Sequence, residues 1–345
     1  MSSAITTRAL RKIYPLPPQR RKRGGAHPLP ASVPGGGVMQ AQAANVAAGG
    51  IVAVEALDLD IPEGEFFGVL GPNGAGKTTT IGILTTRVRL TAGQAIVAGA
   101  DVVREPARVR QRIGVVPQRA NPDRGLNVVE NLIFHASYFG VPRAEATRRA
   151  DALLEKLGIA DKRDAKVDAL SGGQQQRLMI ARALTHEPRI IFLDEPTVGL
   201  DPQARLALWE ILRELHRQGR TIVMSTHYME EADQLCDRLA IIDRGRLLAL
   251  DTPASLREQA PGDTLVEVTF DGDTTPLADA ARAIEGVSGV DPRGTTLRVY
   301  SRRAGEIIPA LITAGEAHDR HIKDIHLSRP SLETLFISLT GRKLD

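Results

Sequence analysis

The chain has 345 residues, 42% of them hydrophobic and 25% charged, with one cysteine and a formal net charge of +3. That is core enough for one large domain or two, and a lone Cys236 excludes an internal disulfide framework and points to a reducing, cytosolic setting. No apolar run approaches the ~18 residues of a membrane-spanning helix, and without Arg20, Arg21, Lys22 and Arg23 the net charge falls to −1, so no basic face of a nucleic-acid binder is expected.

Ala4 to Ile13 reads as the start of a folded domain. "YPLPPQRRKRGGAHPLPASVPGGG" then opens, at Tyr14, about 36 residues without periodicity or a single acid. A targeting segment, a nucleic-acid arm and a disordered insertion compete as readings. No apolar region follows the basic residues, which excludes a signal peptide. Order resumes with "VAVEALDLDIP", which alternates like a strand and ends at the turn Pro62-Glu63-Gly64. "EFFGVL" is a short apolar run, as in a buried strand. A helix is expected from Gly76 to about Arg87, then strands at "QAIVAG" and "RIGVVPQ". Residues 128–158 read as helical, the second helix ending at a glycine cap. Another helix is expected over 172–185, a strand at "RIIFLDEP", and an amphipathic helix at "QARLALWEILRELHRQG". "TIVMSTH" reads as a strand, "MEEADQLCD" as a helix, and "RLAIIDRGRLLAL" as a hairpin around Arg244-Gly245. Beyond a boundary near 258/259 the order is β-α-β-β-α-β, a ferredoxin-like unit closed by the helix "SLETLFISLTG".

"GPNGAGKT", Gly71 to Thr78, fits G-x-x-x-x-G-K-[ST] and lies between an apolar strand and a helix, as a phosphate loop must. Glycines turn backbone amides toward phosphates at a helix N-terminus. Lys77 can reach the β- and γ-phosphates, and the Thr78 hydroxyl can ligate Mg²⁺. "IIFLDEP" ends a buried strand in two acids at the carboxyl edge of a sheet, where ligands of open α/β folds bind. Asp194 would hold Mg²⁺ through water and Glu195 would polarise the attacking water; two solvated loop acids are the bland alternative.

"LSGGQQQR", Leu170 to Arg177, resembles the signature of ATP-binding-cassette (ABC) ATPases, and the motif order is theirs: phosphate loop, Gln118 in "VVPQ", signature, "LDEP", "GLDP", and His227 in "MSTH". The resemblance implies an α/β fold: a RecA-like core with an antiparallel β subdomain and a helical subdomain, followed here by the small α+β unit. It implies that Gly71, Pro72, Asn73, Gly74, Ala75, Gly76, Lys77, Thr78 and Thr79 bind nucleotide. Gln118 would contact Mg²⁺ and the water, with Thr78 and Asp194 as the other metal residues. Leu170, Ser171, Gly172, Gly173 and Gln174 would meet ATP held by another subunit; a Ser and two Gly at a helix start suit an anion. Asp201 would communicate across the dimer interface, His227 would touch the γ-phosphate beside the catalytic Glu195, and Tyr14 would stack on adenine. ATP and Mg²⁺ are thus expected, with a head-to-tail homodimer or heterodimer.

Tyr14 at that position makes the opening tract an insertion in the first hairpin, residues 15–50, disordered by composition. Arg20 to Arg23 in it would touch anionic lipid, at ~1 kcal/mol per basic residue. "HLSRPSLETLFISLTGRKLD" is similar to the tail of the daunorubicin-resistance type of exporter ATPase. That implies an ATPase subunit on the cytoplasmic face of the plasma membrane, serving a separate permease and no nucleic acid. An importer subunit, or a soluble cassette acting on ribosomes or DNA, are the rivals; neither a Cys pair nor sustained heptads fill the roughly 50 residues between Gln118 and the signature.

Overall fold

The computed structural model describes residues 2–16, 46–47, 50–260, 262–328 and 331–340. Most of the tract from 15 to 50, with Arg20 to Arg23, therefore lies outside the described residues. The chain divides into two compact units, one reaching to Pro253 and one from Ala254. Helix Pro253–Glu258, which precedes the expected boundary, falls largely in the second.

The first unit is built on a six-stranded sheet in the order Arg246–Asp251, Arg238–Asp243, Phe66–Leu70, Thr221–Thr226, Ile190–Asp194, Ile113–Val116. All neighbours are parallel except the first pair, a hairpin. Phe66–Leu70, Ile190–Asp194 and Thr221–Thr226 are buried at every position. That explains the apolar runs "FFGVL", "IIFL" and "IVM" within them: a parallel strand covered on both faces has no solvent side. The hairpin turns at Arg244 and Gly245, whose φ of 48° and 78° form the primed turn that matches strand twist.

A second, antiparallel sheet joins Gly50–Pro62, Ser3–Pro15 and Ala92–Val97, with two-residue strands at its edges. Tyr14 pairs with Ile51 and Pro15 with Gly50, so the two ends of the tract meet across one hairpin. Helices Val128–Ser137, Arg143–Lys156 and Gly172–Leu184 pack together as a helical layer. The first starts at a capping box, Asn127 with Glu130, and the second is followed by Gly158 at φ 66°.

Two expected elements are shorter. The helix after the phosphate loop spans Lys77–Leu84 and stops before Arg87, because Thr86 turns to φ 64°. "PLADAARAIEG" gives a 3₁₀ turn, Thr275–Leu277, and a short helix, Ala278–Arg282. The second unit is an antiparallel sheet in the order Val287–Arg293, Thr296–Ser301, Thr264–Phe270, Ile322–Ser328. Numbered along the chain this reads 2-3-1-4, the ferredoxin-like arrangement, with helix Ala304–Ala317 on one face. Among the described residues no helix is long and apolar enough to cross a membrane.

Candidate functional site

Strand Phe66–Leu70 delivers the chain into Gly71–Gly76, and helix Lys77–Leu84 leaves it. Two glycines are dictated by backbone contacts. A Cβ on Gly71 would lie 2.3 Å from the Ile242 carbonyl oxygen. One on Gly76 would lie 2.3 Å from the Ala53 carbonyl oxygen, and Gly76 also needs φ 106°. Gly245 braces the loop from the hairpin: its N–H donates to the Ala75 carbonyl at 2.8 Å, and its carbonyl accepts from Glu55 N–H at 2.7 Å. Asn73, Gly74 and Thr78 are left facing solvent, while Pro72 and Ala75 are buried and Thr79 half-buried.

Lys77 is 4% exposed and folds back over the loop. Its Nζ donates to the carbonyls of Gly71 at 2.6 Å and Pro72 at 3.1 Å, and pairs with Glu195 Oε1 at 3.0 Å. Burial pushes the Lys77 amine below its ordinary value, and Glu195 opposes that. On Glu195 burial acts upward, but nearby His227 and Lys77 outweigh it and hold the carboxyl down to about 2. Gln118 Nε2 donates to Glu195 Oε2 at 3.0 Å. His227 Nδ1 lies 3.3 Å from the same oxygen without the alignment of a hydrogen bond. Thus Lys77 from a helix start and Gln118 and His227 from two loops converge on one carboxylate.

The neighbouring acid has a different setting. Asp194 accepts from Thr78 Oγ1 at 3.2 Å and from Ser225 Oγ at 2.6 Å. Burial raises its pKa, against the pull of those hydroxyls. Ser225 Oγ also accepts from Glu195 N–H at 3.0 Å, so one hydroxyl fixes both acids. Glu195 itself sits at φ 49°, a left-handed conformation a non-glycine residue adopts only when its surroundings impose it. A second polar knot lies under His227. The wholly buried Glu231 accepts from Thr226 Oγ1 at 2.7 Å and Trp209 Nε1 at 3.4 Å, and the Tyr228 ring lies tilted against His227 with ring centres 4.1 Å apart.

Other expected residues stand apart from this cluster. Ser171 caps helix Gly172–Leu184: its Oγ accepts from Gln174 N–H at 3.3 Å, and Gln174 Oε1 accepts from Ser171 N–H at 2.9 Å. Leu170 is buried beneath, while Ser171 and Gly172 are exposed and Gly173 half-exposed. Among the described residues no hydrogen bond or ion pair joins Ser171–Gln174 to Gly71–Thr79. Asp201 caps helix Pro202–Arg217 by accepting from Ala204 N–H at 2.8 Å and is otherwise exposed. Tyr14 is half-buried near the end of its strand, with Lys12 Nζ 4.8 Å from its ring centre. Its partner Ile51 lies two residues before Ala53, whose carbonyl abuts Gly76.

Thr78 and Asp194 offer a hydroxyl and a carboxylate, hard oxygen donors that fit Mg²⁺. Among the described residues no cluster of three or more His, Cys, Asp or Glu could hold a metal alone.

The family described as "ABC transporter" matches residues 54–198. The linearmycin resistance ATP-binding protein LnrL of Bacillus subtilis (strain 168) is 35% identical over 309 residues, 89% of this chain and 99% of that protein. The daunorubicin/doxorubicin resistance ATP-binding protein DrrA of Streptomyces peucetius is 39% identical over 86% of this chain and 90% of its own length. A Nod factor export ATP-binding protein I of Cupriavidus metallidurans is 40% identical over 85% and 94%. Among solved structures, a dimeric ATP-binding cassette in a post-hydrolysis state, bound to ADP and Pi, superposes with a TM-score of 0.59 at 25% identity, over 72% of this chain and 98% of that one.

Proposed function

The chain belongs to the ABC transporter family and hydrolyses ATP, and from that premise we propose that it is the ATP-driven subunit of an exporter. Two relatives carry resistance in their names and a third carries export, which supports outward transport. The observation that carries the catalytic part is the convergence of Lys77, Gln118 and His227 on the one Glu195 carboxylate at the end of strand Ile190–Asp194.

In this reading ATP lies along Gly71–Thr79 with its adenine against Tyr14, and its phosphates take Lys77 from Glu195. Glu195, released by Lys77, then accepts a proton from the attacking water as general base. Gln118 orients that water, and His227 faces the γ-phosphate. Thr78, Asp194 and Gln118 would hold Mg²⁺, which when bound neutralises phosphate charge. Leu170–Gln174, whose exposed Ser171 and Gly172 stand apart from the chain's own loop, would close over ATP held by a second copy, with Asp201 at the seam. ATP thus joins two subunits and hydrolysis parts them, which drives a permease carried on another chain. The protein would sit on the cytoplasmic face of the membrane, bound to that permease, and would bind no nucleic acid.

The test is to purify the protein from its native membrane and identify what accompanies it. A hydrophobic permease is expected. Ribosomal proteins or DNA in its place would overturn the transport reading, and a periplasmic binding protein would overturn export.

A further inference from the structure

The sheet of the C-terminal unit has two unlike faces. On one, Val266, Val268, Phe270 and Leu297 pack against Ile307 and Leu311 of helix Ala304–Ala317. The other is polar, and its side chains are exposed or half-exposed. Strand register sets it out in rows. Arg293, Thr296, Thr269 and Asp324 lie abreast across the four strands. Asp291, Arg298, Glu267 and His326 form the next row, and Gly289, Tyr300 and Leu265 continue the third. Residues of the first two rows border a hollow of about 330 Å³.

The charges along these rows have a particular order. The first row runs positive, neutral, neutral, negative. The second runs negative, positive, negative, then histidine. Rotate a second copy by a half-turn about an axis along the strands, and each row is met by itself in reverse. Arg293 then faces the partner's Asp324, and Arg298 faces the partner's Glu267. Asp291 meets the partner's His326, and Tyr300 meets the partner's Leu265. Every charge meets its opposite or a histidine, and no like charges face one another. Arg298 already bonds Glu267 within its own chain at 2.7 Å, so the centre of the contact becomes a square of two arginines and two glutamates.

We propose that this sheet face docks on the same face of a second copy of this chain, without ATP. The contact is isologous, as a two-fold dimer requires. Four strands ~4.8 Å apart and seven residues at ~3.3 Å give roughly 440 Å² a side. That is about 900 Å² in all, short of the ~1,200–2,000 Å² of a stable complex. The contact is therefore weak and salt-sensitive. Its value lies in tethering: it holds two cassettes near each other between ATP cycles and raises their effective concentration. This goes beyond the ATP-dependent pairing proposed above and does not depend on it.

Sedimentation of the full chain, free of nucleotide, tests the proposal. At ~50 mM salt a monomer–dimer equilibrium is expected, shifting to monomer near ~0.5 M as charge interactions are screened. Arg293→Asp and Asp324→Arg should each weaken the dimer ~10-fold or more, since each reverses two symmetry-related contacts. The double variant Arg293→Asp/Asp324→Arg should restore it. These residues sit on the two outer strands, three spacings or ~14 Å apart, so the rescue arises only between chains. A wild type that is monomeric at low salt, single variants that dimerise normally, or a double variant without rescue would each overturn the proposal. ATP turnover is a separate readout and leaves the catalytic reading untouched.

Discussion

Replacing Glu195 by glutamine separates two effects of one carboxylate. Its Oε1 lies 3.0 Å from Lys77 Nζ, and both side chains are 5% exposed or less. In the proposed function the phosphates of ATP take the same ammonium. A hydrogen bond to a charged partner is worth about 1.5–3 kcal/mol, and each 1.4 kcal/mol is tenfold in affinity. Glu195→Gln keeps the shape and removes the charge, so ATP should bind ~10- to 100-fold tighter. The same change removes the proposed general base, a role worth about 10²–10⁴-fold in turnover. The assay pairs a calorimetric ATP titration with steady-state phosphate release on one preparation. Tighter binding and turnover reduced at least a hundredfold are expected. Weaker binding would refute the competition for Lys77, and near wild-type turnover would remove Glu195 as the base.

Lys77→Ala should lose ATP binding in the same titration while keeping a folded circular-dichroism spectrum, with a lower melting temperature because buried Glu195 loses its cation; retained affinity would contradict the placement of the phosphates. Gly76→Ala must fit a Cβ 2.3 Å from the Ala53 carbonyl at φ 106°, so it should distort the loop and abolish ATP binding, and normal binding would refute that constraint. His135 is pushed down to about 4 by burial, with Arg182 and His186 adding to the effect. Its folded value lies below its unfolded one, so the stability it carries is complete above pH 6.5 and is lost as pH falls toward 4. Roughly 2 kcal/mol should be gone by pH 5, and His135→Phe should flatten that part of the melting curve against pH; an unchanged slope would clear His135.

Much of this molecule is legible in its residues because its core strands are buried on both faces. Unbroken runs such as "IIFLD" admit few other readings, and the glycines at 71 and 76 mark the loop between strand and helix. Helix Pro106–Arg112 is not legible: only Val109 of it is buried, so it carries no apolar period. The site shows the same division. Lys77, Asp194, Glu195, Gln118 and His227 sit in motifs with fixed spacing. Ser225, which fixes both acids, is one hydroxyl in a buried strand, and no spacing rule singles it out. Ala53 and Gly245 shape the loop through backbone carbonyls and amides, to which residue type is a poor guide. Glu231 reads as a surface acid of a short helix, yet it is wholly buried on Thr226 and Trp209.

In the proposed function ATP is hydrolysed in a site completed by a second chain. Mixing two inactive variants tests it most directly. A Lys77→Ala chain retains its signature, and a Ser171→Arg chain retains its phosphate loop. Each alone should be inactive in phosphate release. Their mixture contains dimers with one intact composite site and should recover a substantial fraction of turnover. A Ser171→Arg chain that hydrolyses ATP alone at the wild-type rate, or a mixture as inactive as its components, would contradict the account.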